Sequence, residues 1–164
     1  MLITVTPATV EPVTLEEVKE HLRLDHDEDD GLIGTLITGA RQYVELYTGR
    51  ALAAATYRWA AESGSPYTVP LWPAEVTAVT YMQNGARVEA DVFDFDADRS
   101  LLCGHFGEAV RVEFSTDPDD VPDIARAAIL LRVEAMYDAS PDDKQKLNAA
   151  ADELANILRM NMGV

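Results

Sequence analysis

Two blocks of apolar residues at helical spacing stand near the start of the chain, separated only by the acidic run Asp25 to Asp30. In the first block Thr14 lies three residues ahead of Glu17, the spacing of a capping box, in which side chains and backbone satisfy each other's orphan hydrogen-bonding groups. A helix is therefore predicted to begin at Leu15. Leu15, Val18 and Leu22 share one face over about two turns, while Glu16, Lys19, Glu20 and Arg23 face outward. So short a helix does not persist alone in water. Its partner is the second block, where Leu32, Ile33, Leu36, Ile37, Ala40, Tyr43, Val44 and Tyr47 hold the helical period for about four turns. Asp29 or Asp30 is its expected N-cap, and Gly49 stands where a C-cap glycine belongs. Residues 14–50 thus read as a helical hairpin whose two stripes bury against each other.

The flanking segments differ in pattern. Residues 1–13 carry Leu2, Ile3 and Val5 in a β-favouring mix broken by Pro7 and Pro12, and read as an extended arm or edge strand that takes its order from a neighbour. Residues 53–115 carry strand and turn signals. Ala55 to Glu62 alternates weakly, Ser63 to Pro66 is a turn cluster, and Pro70 and Pro73 bracket Leu71 and Trp72. Glu75 to Met82 alternates, and Asn84-Gly85 offers the favoured two-residue hairpin turn ahead of Arg87 to Asp91. Val92, Phe93 and Phe95 keep strand character, Ser100 to Cys103 is a short strand, and Ala109 to Phe114 sets Val110, Val112 and Phe114 on one face. About five or six short antiparallel strands are expected.

Residues 121–160 return to helix. Pro122 suits a first helical position, and the segment Pro122 to Tyr137 is apolar nearly all round. Such a helix must be covered on all sides, either as the central helix of the domain or partly by another subunit. Ser140-Pro141 restarts a helix with Leu147, Ala150, Ala151, Leu154, Ile157 and Leu158 as its narrower stripe. The expected fold is α+β: a bundle of about four helices drawn from both chain ends, with an antiparallel β subdomain inserted, all of residues 1–164 forming one domain.

Charge narrows the function classes. The chain has 29 acidic against 13 basic residues, a net charge of -16, so a face that grips nucleic-acid phosphates is not expected. A mean hydropathy of -0.09 suits a soluble globular protein. No apolar run reaches the ~18 residues of a membrane span, nothing argues for a secretory leader, and the single Cys103 suits a reducing compartment.

Catalytic and metal patterns are incomplete. Asp25, Asp27 and Asp29 have the alternation of a calcium-binding EF-hand loop, but Asp30 stands in place of the turn glycine and Leu36 in place of the bidentate glutamate. Asp94, Asp96 and Asp98 fail in the same way, with Arg99 and His105 at those positions, and read as the polar side of a half-buried strand. Cys103 and His105 lack a second ligand pair, His21 and His26 lie in the hairpin, and no nucleophile elbow, phosphate-binding loop or zinc-protease motif occurs. No cofactor is expected. Arg41 and Glu45 form an i,i+4 pair worth a few tenths of a kcal/mol on an exposed helix. Trp59, Trp72 and Phe106 read as sheet core or anchors, since few bases flank them.

The run T-L-E-E-V-K-E-H-L-R, the acidic turn, and then D-G-L-I-x-x-L-I-x-x-A-R-x-Y-V-E-x-Y-T-G-R-A-L resemble the start of the head-tail connector (adaptor) proteins of long-tailed double-stranded DNA phages and related prophages. The likeness resumes at V-P-D-I-A-R-A-A-I-L-L-R-V-E-A-M-Y, Val121 to Tyr137, and ends more weakly at Ile157, Leu158 and Arg159. Its motif positions are Leu15, Lys19, Leu22, Arg23, Ile33, Ile37, Ala40, Arg41, Val44, Glu45, Tyr47, Gly49, Pro122, Ala128 and Tyr137. The resemblance implies a structural, non-enzymatic virion protein, made in the host cytoplasm, that sits at the head-tail interface. It implies a ring of copies, typically a dodecamer, beneath the portal protein, which extends the DNA channel and docks a tail-side completion or terminator protein. DNA would pass without sequence-specific binding, and no membrane is involved. Asp25, Asp27, Glu28, Asp29, Arg126, Arg132 and Arg159 are the candidate interface or channel residues, and the arm and the tail Met160 to Val164 are expected to order on the portal or a neighbour. Two rival readings use the same acids: an inhibitor that mimics DNA against a basic nucleic-acid enzyme, and a metal-dependent enzyme at Asp25 to Asp30 or Asp94 to Asp98.

Overall fold

The capping box predicted at Thr14 forms: Glu17 N–H donates to Thr14 Oγ1 at 3.2 Å and Thr14 N–H to Glu17 Oε2 at 2.7 Å. The computed structural model describes residues 1–61 and 66–159. In it this cap opens helix α1, Leu15–Leu22, ended by Arg23 in the left-handed conformation. Helix α2 is Asp30–Thr48, closed by Gly49 at φ 72°. Its N-cap is Asp29, yet the Asp29 side chain makes no cap hydrogen bond, because its carboxylate accepts from the Tyr137 hydroxyl instead. Helix α3 is Asp123–Tyr137 and α4 is Pro141–Leu158. Pro122 is the N-cap of α3 rather than its first helical residue, and its carbonyl accepts from the N–H groups of Ala125 and Arg126. Ser140 caps α4 as its spacing from Pro141 implied.

These four helices form one compact unit, built from Val10–Leu52 and the described residues from Asp119 onward, 119–159. Its core is Val13 and Val18, then Ile33, Ile37, Ala40 and Val44 of α2, Leu52, and Ala125, Ala128, Ile129 and Val133 of α3, with Ala155 of α4. Helix α3 packs on α1, α2 and α4, so the helix that is apolar nearly all round is central within its unit. Alanines at 40, 125, 128, 151 and 155 are all buried, which lets the helix backbones approach closely.

The second unit takes in Met1–Thr9 and the described part of Ala53–Pro118. Its strands in chain order are β1 Leu2–Thr6, β2 Ala55–Ala60, β3 Tyr67–Thr68, β4 Glu75–Gln83, β5 Ala86–Glu89, β6 Asp94–Asp96, β7 Leu101–Cys103 and β8 Glu108–Thr116. A five-stranded antiparallel sheet runs β1-β2-β8-β4-β5, and a three-stranded sheet runs β3-β7-β6. The alternation of β8 sends Val110, Val112 and Phe114 to a buried face, where Tyr57 of β2 stacks on Phe114 at 5.4 Å and Val79 of β4 joins them. Phe106 lies against Tyr67 on one side and Tyr81 on the other, linking the two sheets. The β4–β5 hairpin turns at Asn84 and Gly85, at φ 50° and 78°, the doubly positive backbone that this dipeptide favours.

Several expectations are corrected. The edge strand expected near the N-terminus forms over residues 2–6, but its order comes from its own chain rather than a neighbour: Leu2 pairs with Trp59 and Ile3 with Arg58 at the edge of the large sheet, and the strand belongs to the β unit. Between residues 53 and 116 there are seven strands among the described residues rather than five or six, because the short β3 carries no periodic signal. Val92 is 84% exposed and outside any strand. Asp98 falls beyond β6, and Asp96 accepts from the Arg99 N–H across a turn, so the three aspartates do not share a strand face. Of the expected turn cluster Ser63 to Pro66, residues 63–65 lie outside the described residues, as does the tail Met160 to Val164.

Candidate interaction surfaces

The Arg41–Glu45 pair belongs to the interior. Both residues are 2% exposed. Arg41 Nη1 donates to Glu45 Oε2 at 2.6 Å and Arg41 Nε to Glu11 Oε2 at 2.6 Å, while the other oxygen of Glu45 accepts the Leu52 N–H at 2.8 Å. Glu11 also accepts from Thr38 at 2.8 Å. One guanidinium therefore binds the chain entering the unit, the middle of α2 and, through Glu45, the chain leaving it. Burial holds the Glu45 carboxyl above its ordinary value of 4.5 against the pull of Arg41 and the Leu52 N–H. The sequence presented this pair at surface spacing; Glu11 was the missed partner, since nothing local marks a contact thirty residues away.

The acidic turn is tied down at one end. Lys19 of α1 donates to Asp27 at 2.5 Å and to Asp30 at 3.0 Å, which holds the Asp27 carboxyl below its ordinary value and raises the Lys19 amine. Asp29 accepts from Tyr137 of α3 at 2.5 Å, and this hydrogen bond raises the phenol. Asp25 and Glu28 stay exposed with no ion pair among the described residues. No cluster there could hold a metal among the described residues.

Of the candidate interface arginines, two are engaged inside the helical unit. Arg126 donates to the Pro12 carbonyl at 2.5 Å and pairs with Glu17. Arg132 donates to Asn148 at 3.0 Å and Asp152 at 2.5 Å, with its guanidinium 3.4 Å from the centre of the Tyr43 ring. Arg159 is exposed, lies 5.8 Å from the ring centre of Tyr47, and has no ion pair among the described residues. Tyr43 and Tyr47, one turn apart on α2, donate to Asp152 and Asn156, one turn apart on α4. That matched spacing of four residues on both helices is the signal by which the sequence marks this contact.

The remaining motif positions sort by role. Ile33, Ile37, Ala40, Val44 and Ala128 are core, and Leu15, Leu22, Tyr47 and Tyr137 pack against it half-buried. Arg23, Gly49 and Pro122 are helix caps. These residues specify the subunit. What they leave exposed is an outer face of α2 with Leu32, Tyr43 and Leu46, the end of α4 with Ile157, and a groove at the α3–α4 elbow. The groove, of about 560 Å³, is lined by Leu22, Leu24 and Leu147 together with the carboxylates of Glu134, Asp138 and Asp143 and the ammonium of Lys146. Glu134 is 2.7 Å from His21 Nε2 of α1.

Residues 12–91 match the family of phage gp6-like head-tail connector proteins. No curated protein sequence matches the chain. Among solved structures, a chain from the neck of an empty gene transfer agent particle, computed with C6 symmetry, matches with a TM-score of 0.70 at 20% identity, over 98% of this chain and 95% of that one. A chain from the virion of a native gene transfer agent particle matches at 0.69 and 19% identity with the same coverage. A third, from the neck of the native particle computed with C12 symmetry, matches at 0.65 and 19% identity. The chain is thus similar to head-tail connector proteins in sequence over residues 12–91, and it shares its fold over nearly its whole length with chains of gene transfer agent particles.

Proposed function

We propose that this protein is a structural component of a virion neck, in which copies form a ring under the portal, continue the DNA channel and present a docking surface to tail-side proteins. The observation that carries this reading is the connector-family match over residues 12–91, joined to a fold shared along almost the entire chain with proteins in particle necks. The physical features agree with it. Every motif position is a core residue, a residue packed against the core, a cap or a member of an ion pair within the helical unit, which supports a rigid building block rather than a reactive centre. A net charge of -16 gives a channel wall that repels phosphates within a Debye length of about 8 Å and so lets DNA slide. Asp25 and Glu28, exposed and unpaired among the described residues, are the groups of the acidic turn best placed to act this way.

The test is assembly on the cognate portal. Purified protein mixed with that portal and viewed by negative-stain electron microscopy is expected to add a ring of density to the portal's narrow end. A portal that stays bare at high protein excess would refute the reading. Retention of the protein on a basic nuclease or polymerase instead would favour the DNA-mimic alternative.

A further inference from the structure

The elbow groove and the far end of α4 have matching chemistry. Ile157 is 69% exposed and takes no part in the core that Ala151, Leu154, Ala155 and Leu158 of the same helix build. Two residues on, Arg159 is exposed and has no ion pair among the described residues. The groove has largely the opposite character: three leucines left half-exposed, and three carboxylates against a single ammonium, that of Lys146. One of these, Asp143, is partly satisfied by Ser140 and by Lys146 at 3.5 Å, and another, Glu134, by His21. The third, Asp138, is exposed and has no ion pair among the described residues.

The groove lies in the size range of roughly 300–1,000 Å³ that encloses a sizeable group rather than a single atom cluster. A helix end with one branched apolar side chain and one guanidinium suits it in shape and charge. The helix end of the same copy cannot reach. Leu147 lines the groove and Ile157 is ten residues along the same helix, a separation of about 15 Å.

We propose that the groove at the α3–α4 elbow receives the C-terminal end of α4 from a second copy of the chain, with Ile157 on Leu22, Leu24 and Leu147, and Arg159 beside Asp138. Because the two surfaces are different and sit at opposite ends of one helix, the contact is head-to-tail, the class that generates rings when the rotation closes and filaments when it does not. The inference rests on the ring reading and names a contact within it.

Cysteine pairing tests it directly. In a Cys103→Ser background, the double variant Leu147→Cys, Ile157→Cys carries two thiols too far apart on one helix to bridge within a chain, since disulfides need Cα atoms within about 7 Å. On oxidation it should give a ladder of covalent multimers on a non-reducing gel, while either single variant stops at dimers. Charge exchange provides a check that does not depend on packing. Arg159→Glu alone and Asp138→Arg alone should each weaken self-association at least about tenfold in sedimentation, and the two together should restore it. Rings on the portal without a ladder and without charge rescue would overturn the contact while the ring reading stands. A ladder with no closed ring would uphold the contact and overturn the ring. A bare portal with no ladder would overturn both.

Discussion

Arg41 stands between two carboxylates in a site from which water is nearly excluded, and its loss would leave both Glu11 and Glu45 without their cation. Arg41→Ala is therefore expected to lower the unfolding free energy by roughly 3–5 kcal/mol, read from the urea midpoint. Glu45 also sets a pH dependence of a definite sign. Its folded value lies above the ordinary 4.5, so the native state binds the proton more tightly than the unfolded chain does. Its contribution is fully present below 4.5 and is lost as pH rises through the raised value. Glu17 acts in the opposite direction, because its hydrogen bond from the Thr14 N–H depresses it and its contribution is lost as pH falls. Glu45→Gln should remove the decline on the rising side and keep the decline on the acid side. A stability profile against pH with an unchanged rising-side slope would contradict the assignment.

Helices α1 and α2 hold together for reasons of element ends and faces. Thr14→Ala removes one half of the reciprocal cap and is expected to cost about 1 kcal/mol in thermal or denaturant unfolding. Helix α2 carries Gly34 and Gly39, where an added Cβ meets nothing within 4 Å. Alanine at either position should stabilise the isolated protein by about 0.5–1 kcal/mol, since only backbone entropy changes. A lower melting temperature for Gly39→Ala would show that this open helix face already meets something in solution. Helix α3 illustrates how legible an element can be: its apolar circumference demanded cover on all sides, and α1, α2 and α4 supply most of it.

For the whole molecule, 29 acids on 164 residues make self-repulsion the dominant long-range term. Sodium chloride raised from 20 mM to 150 mM, where the Debye length shrinks to about 8 Å, should raise the melting temperature and strengthen association between copies. Light scattering across that series checks it, and association that weakens with salt would argue for a contact made chiefly by opposite charges. The fold also shows what chain order hides. The helical unit is assembled from two segments on either side of the β region, and the β unit recruits Leu2–Thr6 from the start of the chain.

Local periodicity, caps and turn dipeptides were enough to specify the four helices, most of the strands and the α+β class, because those signals act within a few residues of where they are written. The likeness of the hairpin to connector proteins was legible for the same reason, its motif being a run of core and cap positions. Partnerships across long stretches of chain were decided only in three dimensions. Glu11 reaching Arg41, Tyr137 drawing Asp29 away from its cap, and β1 joining β2 each depend on burial and register that no window of sequence contains. Tertiary packing turned an ordinary i,i+4 pair into a buried network, since the value of a charge pair is set by the water removed around it.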